Sequence, residues 1–311
     1  KDPKTGLPIH SLYGKTTKPT PEMVRDLDIL VFDLQDVGAR FYTYITTLAL
    51  VMEAARENGK DVLVLDRPNP VGGEAVEGPI QEEALRGDFI GYFPIPMRHG
   101  MTVGELATLY NTAFGIGCRL EVVKMEGWRR SMYFDETHLP WRSPSPNMRS
   151  LEAAISYSGL GALETTSLSV GRGTGRAFIL YGAPWIDGPR LCRELAARGL
   201  PGVRFKPATF TPQAEPGMPR YPHAERECQG FEVEITDRKA YRPVASALAA
   251  FDVLFRLYPK DFTFGRSHRF FGLRSVEGDL RAGKSPAEIE KAWQPELDGF
   301  LESRRKCLLY P

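Results

Sequence analysis

The sequence predicts an α/β domain built on a parallel sheet over residues 1–145, followed by a smaller α+β domain over residues 146–311. Three observations predict it. Two short apolar runs each end in aspartate, Asp28-Ile-Leu-Val-Phe-Asp33 and Asp61-Val-Leu-Val-Leu-Asp66. A stretch with helical spacing joins them. Beyond Trp141 the chain changes to short strand-like stretches divided by glycine-rich turns.

Each run is β-branched-rich and does not alternate with polar residues, the pattern of a strand covered on both faces. Between them, Tyr42 to Glu57 carries apolar residues at Ile45, Leu48, Ala49, Met52 and Ala55, and Asn58-Gly59 supplies a C-terminal stop. A strand–helix–strand unit of this kind makes its two strands parallel. A third strand is expected at Leu120–Met125, after a helix that opens on the capping box Thr102-Val-Gly-Glu105 and runs through Tyr110. Pro140, Pro144 and Pro146 bracket a linker. In the second half Phe231, Val233 and Ile235 alternate with Glu232, Glu234 and Thr236, which reads as a half-exposed strand. A helix is expected over Pro243–Leu257, and another opens at Ser285-Pro-Ala-Glu288 with an N-cap, an N1 proline and an N3 glutamate.

Composition narrows the classes of function. The 311 residues carry 40 Lys+Arg and 39 Asp+Glu, a formal charge of +1, which argues against nucleic acid as a partner. Four scattered cysteines (118, 192, 228 and 307) form no CxxC pair and no zinc-ligand spacing, so neither a disulfide framework nor a metal is expected. No cofactor motif appears. No apolar run approaches the roughly 20 residues that span a bilayer.

Ligands of a parallel sheet bind beyond the carboxyl ends of its strands. Asp33, Gln35 and Asp36 follow the first strand, and Asp66-Arg-Pro-Asn-Pro70 follows the second, so Asp36, Asp66, Arg67 and Asn69 are expected on one rim. His99 precedes the capped helix. Gly171-Arg-Gly-Thr-Gly175 lacks a P-loop ending and reads as a turn that presents Arg172 and backbone N–H groups to an anion, or as a plain turn. Glu164 interrupts a strand-like stretch, Leu163-Glu-Thr-Thr-Ser167, and a carboxylate there must be paired or functional if it is buried. Asp33 and the acidic residue three positions on raise an alternative: haloacid-dehalogenase-like phosphatases place a second aspartate two residues after the nucleophile, where this chain has Gln35, and use Mg²⁺.

Taken together, Asp33-Leu-Gln-Asp-Val-Gly-Ala-Arg-Phe-Tyr-Thr-Tyr44, Asp66-Arg-Pro-Asn-Pro70, Arg98-His-Gly-Met-Thr-Val-Gly-Glu105, Ser145-Pro-Asn-Met148, Glu164-Thr-Thr-Ser167, Gly171-Arg-Gly-Thr174 and Leu308-Leu-Tyr310 resemble the NamZ-type exo-β-N-acetylmuramidases. The matches run in order over nearly the whole chain. The resemblance implies a Rossmann-like first domain, a cleft between the two domains, and release of N-acetylmuramic acid from the non-reducing end of peptidoglycan fragments outside the cytoplasm. It also implies that a family segment carrying a Pro-Glu-His-Gly turn would precede Lys1, leaving the first domain incomplete and a sheet edge or core face exposed. Ser167 stands where the family has asparagine.

The resemblance implies that the glutamate of that Pro-Glu-His-Gly turn is one catalytic residue; the other would come from this chain, with Asp36 and Glu164 as the candidate catalytic carboxyl groups, or from the substrate's own acetamido group. Arg172, then Arg40, would hold the lactyl carboxylate of the muramyl residue, because a guanidinium fork suits a carboxylate. Tyr42 would stack on the sugar or sit in the core. Asp66, Arg67, Asn69, His99, Asn147 and Thr174 complete the candidate substrate contacts. The enzyme reading expects a deep interdomain cleft lined by Asp36, Asp66, His99 and Arg172. The alternatives are the Mg²⁺-dependent phosphatase and a non-catalytic glycan-binding protein.

Overall fold

The computed structural model describes residues 1–214, 217 and 221–311. After the short helix α1 (Pro21–Val24), the strands β1 (Ile29–Phe32) and β2 (Asp61–Leu65) flank helix α2 (Tyr44–Glu57). Helix α3 (Val103–Thr112) then leads into β3 (Arg119–Val123). The three strands form one parallel sheet in the order β1-β2-β3, with Ile29 opposite Asp61 and Asp61 opposite Arg119. The capping box expected at Thr102 is formed in both directions with Glu105.

One expectation for this sheet fails. Phe32, Val62 and Val64 are buried with the apolar faces of α2 and α3, including Ile45, Leu48, Met52 and Leu106. The opposite face is open among the described residues, with Ile29 49% and Val31 57% exposed.

The second half begins with α4 (Leu151–Leu160), which passes into a 3₁₀ turn over Gly161–Thr165. It continues through β4 (Leu180–Ala183), α5 (Gly188–Ala196), β5 (Val203–Phe210), β6 (Cys228–Ile235) and α6 (Pro243–Leu257). The antiparallel order β4-β6-β5 puts β6 at the centre, with Leu180 opposite Glu232 and Val203 opposite Ile235. Phe231 and Val233 point into the core, as their alternation requires. Four helices close the chain: α7 (Ser267–Phe271), α8 (Ser275–Arg281), α9 (Pro286–Ala292) and α10 (Gln294–Arg305). Helix α9 opens on the Ser285/Glu288 capping box read from sequence.

The principal core joins the two halves. It holds Phe41 and Tyr42 beside Tyr157, Leu163, Phe178, Phe251 and Phe271. The loop after β1 is thus packed into the second half of the molecule, which brings the strand-end residues to the junction.

Candidate functional site at the junction of the two halves

The loop that leaves β1 is fixed by its own polar groups. Gln35 donates from Nε2 to the carbonyls of Asp36 and Pro68, both at 2.8 Å, and so ties the β1 loop to the β2 loop. The N–H of Gly38 donates to Asp36 Oδ2 at 2.6 Å. Gly38 has φ +82°, and a Cβ there would lie 2.6 Å from Asn69 Oδ1, so glycine is required twice over. His99 completes the carboxylate's surroundings. Its Nδ1 accepts from the Met101 N–H at 3.2 Å, which leaves the proton of the neutral ring on Nε2, 3.2 Å from Asp36 Oδ2. Oδ2 therefore has two donors. Asp36 Oδ1 is buried and has none.

The second half contributes the facing groups. Glu164 lies in the 3₁₀ turn after α4, and Arg172 lies in the turn between Gly171 (φ +75°) and Gly173 (φ +78°). A Cβ on Gly173 would collide with the Gln213 carbonyl, so the turn is drawn against its neighbour with no room to spare. Arg172 Nη2 lies 2.5 Å from Glu164 Oε1, with both side chains partly open, 29% and 25% exposed. The guanidinium carbon sits 5.3 Å from the centre of the Phe178 ring. Arg172 Nε is buried without a partner. Burial pushes the Glu164 carboxyl above its ordinary value, against the pull of Arg172.

Tyr157 joins the two groups. Its ring packs edge-on against Tyr42 (6.2 Å between centres) and Phe178 (4.6 Å). Burial first, then the negative charge of Glu164, holds its phenol well above the ordinary value, and Arg172, Tyr42 and Asp36 also lie within electrostatic reach. Tyr42 packs on Tyr44 at 5.0 Å, and Tyr44 donates to the Pro144 carbonyl at 2.6 Å. The Tyr42 hydroxyl lies beside Ser145 and Tyr44 but makes no well-formed hydrogen bond. Asn147 Oδ1 and Thr165 Oγ1 are likewise buried and unpartnered. Buried polar atoms are normally satisfied, so each of these atoms has hydrogen-bonding capacity unused among the described residues.

The structure assigns several sequence candidates elsewhere. Arg40 is corrected from ligand to clamp: it is buried, and its guanidinium donates to the carbonyls of Pro79 (3.2 Å), Ile95 (2.9 Å) and Phe270 (2.5 Å). Burial lowers it to about 9, and nearby Asp88 offsets part of that fall, so it stays charged at neutral pH. Asn69 is also corrected; it donates to the Met101 carbonyl and accepts from the Val71 N–H. Thr174 bonds within its own turn, to the Gly171 carbonyl at 2.6 Å. His99 has no exposed surface and reaches a ligand only through Asp36. Ser167 binds the Asp261 carbonyl and the Thr263 N–H, so its hydroxyl is engaged within the fold.

The expected cleft lined by Asp36, Asp66, His99 and Arg172 is corrected too. A cavity of about 700 Å³ opens at the carboxyl ends of the parallel strands, lined by Asp33, Asp66, Arg67, Trp128 and Leu139 but by none of the other three. Asp66 accepts from Thr102 Oγ1, the Gly104 N–H and the Tyr310 hydroxyl, and so braces α3 and the chain end. Arg67 Nε donates to Asp33 at 2.7 Å. That pairing occupies the carboxylate on which the phosphatase alternative depends. Among the described residues no three His, Cys, Asp or Glu side chains converge as metal ligands.

Sequence reasoning missed Tyr157 and Thr165. Tyr157 sits in a helix whose other residues, Glu152 apart, are apolar or small, and nothing in that pattern separates a site residue from a core residue.

Comparison with known proteins extends these observations over the whole chain. The family model described as Exo-beta-N-acetylmuramidase NamZ, N-terminal, matches residues 1–152, and its C-terminal counterpart matches residues 155–310. The chain is 46% identical over 312 residues to the peptidoglycan beta-N-acetylmuramidase NamZ of Bacillus subtilis (strain 168), covering 99% of this chain and 74% of that protein. A crystal structure of a DUF1343 family protein from Bacteroides fragilis NCTC 9343 superposes with a TM-score of 0.92 at 34% identity, over 100% of this chain and 82% of that one. A second protein of that family and organism gives 0.80 at 30% identity, over 99% and 81%.

Proposed function

The chain belongs to the NamZ family of exo-β-N-acetylmuramidases, and from that premise we propose that it is a glycoside hydrolase releasing N-acetylmuramic acid from the non-reducing end of peptidoglycan fragments. The observation that carries the site assignment is the partly open Glu164–Arg172 pair, which shares the surroundings of Tyr157 with Asp36 and Tyr42, whose Oδ1 and hydroxyl are unpartnered among the described residues. A muramyl residue brings what those atoms lack: hydroxyl and amide donors for the orphan oxygens, and a lactyl carboxylate for the guanidinium.

Glu164 is the candidate acid. Its proton passes to the glycosidic oxygen as the C1–O bond breaks; water then adds its hydroxyl to C1 and returns a proton to the Glu164 carboxylate. The net change is one water across the bond. Asp36, oriented by Gly38 and His99, is the candidate second carboxyl group, its buried Oδ1 unpartnered among the described residues. Arg172 recognises the lactyl group, and Tyr42 borders the sugar.

The test is incubation with the disaccharide N-acetylmuramyl-β-1,4-N-acetylglucosamine and identification of the products by mass spectrometry. Free N-acetylmuramic acid and N-acetylglucosamine are expected. An intact disaccharide, or preferential release of non-reducing N-acetylglucosamine from alternating fragments, contradicts the assignment.

A further inference from the structure

Glu164 and Arg172 are each other's hydrogen-bonding partners at the site, yet both face partly outward, unlike the sealed pairs Glu77–Arg98 and Glu105–Arg130 elsewhere in the fold. Among the described residues Glu164 has no second hydrogen-bond donor. Arg172 lies in the single turn bounded by Gly171 and Gly173, with its guanidinium carbon 5.3 Å from the centre of the Phe178 ring. A partly exposed guanidinium fork prefers a bidentate carboxylate to a single-point contact. An incoming carboxylate therefore competes directly with Glu164 for the same cation.

We propose that the Glu164–Arg172 pair is a latch worked by the substrate: the lactyl carboxylate of the muramyl residue takes Arg172, and Glu164, released, picks up from solvent the proton that it gives to the glycosidic oxygen. This rests on the function proposed above and adds to it a reason why the lactyl group acts on turnover as well as on binding. A substrate without that group leaves Glu164 paired with Arg172. The direction agrees with the setting of Glu164, where burial already raises the carboxyl and Arg172 is the charge that opposes it.

Among the described residues Arg172 is the one cation that acts on the Glu164 carboxyl. Helix α4 brings Tyr157 and β4 brings Tyr181, both within its electrostatic reach and both held well above their ordinary values chiefly by burial. On α7, which packs against the 3₁₀ turn and carries His268, Arg269 is engaged by Asp88. On α6, Asp252 is engaged by Arg198 and Arg256.

The test is a ¹³C NMR titration of the glutamate side-chain carboxyls, with Glu164→Gln to assign the signal, in the presence of free N-acetylmuramic acid or of N-acetylglucosamine. N-acetylmuramic acid is expected to raise the midpoint of Glu164 by about one to three pH units, the range in which one neighbouring charge acts, and N-acetylglucosamine to leave it in place. Arg172→Gln is expected to hold the midpoint high with either sugar. A Glu164 midpoint that does not respond to N-acetylmuramic acid overturns the latch, as does Arg172→Gln behaving like the unaltered protein. Because the titration reads binding and protonation without turnover, its failure is distinguishable from failure of the disaccharide assay.

Discussion

His99 and Asp36, 63 positions apart, share a buried hydrogen bond of 3.2 Å in which the imidazole donates from Nε2 and the carboxylate accepts at Oδ2. The Met101 N–H fixes the tautomer by bonding Nδ1, so the donor direction is set by the backbone. His99→Ala removes one of the two donors that hold a buried carboxylate. The expected loss is about 1–3 kcal/mol of stability, measured by urea denaturation, because the remaining acceptor is stranded. His99→Gln, which retains an N–H donor, should recover part of the loss, and in both variants kcat on the disaccharide should fall more than KM changes.

Arg40 gives a prediction of the opposite kind. Its three carbonyl partners come from both halves of the chain, and a Cβ at Gly272 would stand 2.7 Å from its Nη2. Arg40→Met strands those carbonyls and should destabilise by roughly 3 kcal/mol or more, since each stranded group costs about 1–3 kcal/mol. Gly272→Ala should also destabilise, through the φ of +77° and through that contact. KM of whatever folds should be unchanged, because the guanidinium faces no substrate.

Glu164 should make the protein less stable as pH rises. Its folded value is raised above the unfolded one, so the native state holds the extra proton between the two values. Stability is therefore lost as pH climbs from about 4.5, the unfolded value, through the raised folded value, and stays level above it. In thermal melts, Glu164→Gln should lack this decline, so that the difference in Tm between variant and parent grows across that window in the variant's favour. A parallel pair of curves would count against the raised value.

Tyr310, next to the chain end, donates to Asp66 Oδ2 at 2.6 Å and accepts from the Met125 N–H at 3.0 Å. A hydrogen bond to a charged group contributes about 1.5–3 kcal/mol, and Tyr310→Phe should lower stability by that order. Equilibrium unfolding provides the check, with activity per folded molecule retained.

Much of the fold was legible because local signals agree with the tertiary result. Thr102/Glu105 and Ser285/Glu288 each sit at an observed helix start, and Pro243–Leu257 is helical from end to end. The apolar run alone did not reveal the open face of β1, since Ile29 and Val31 look the same in sequence whether or not anything covers them, whereas the family resemblance implies an exposed sheet edge or core face. In the site, the strand-end aspartates pointed to the right loop, but sequence spacing carries no depth. It could not separate Arg40, sealed under three carbonyls, from Arg172, held at the surface by two glycines. Nor could it show that Glu164 and Arg172 meet, because that contact depends on how the turn after α4 faces the turn before β4.

The most direct test of the account compares kcat/KM for N-acetylmuramyl-N-acetylglucosamine and for N-acetylglucosaminyl-N-acetylglucosamine in the unaltered protein and in Arg172→Ala. The two disaccharides differ only by the lactyl ether, so a charged contact to that group appears in the ratio and nowhere else. The ratio is expected to fall by about 10- to 100-fold, the equivalent of losing one charge-assisted hydrogen bond. An equal loss on both disaccharides, or no loss on either, would contradict the assignment of Arg172 as the lactyl-binding residue.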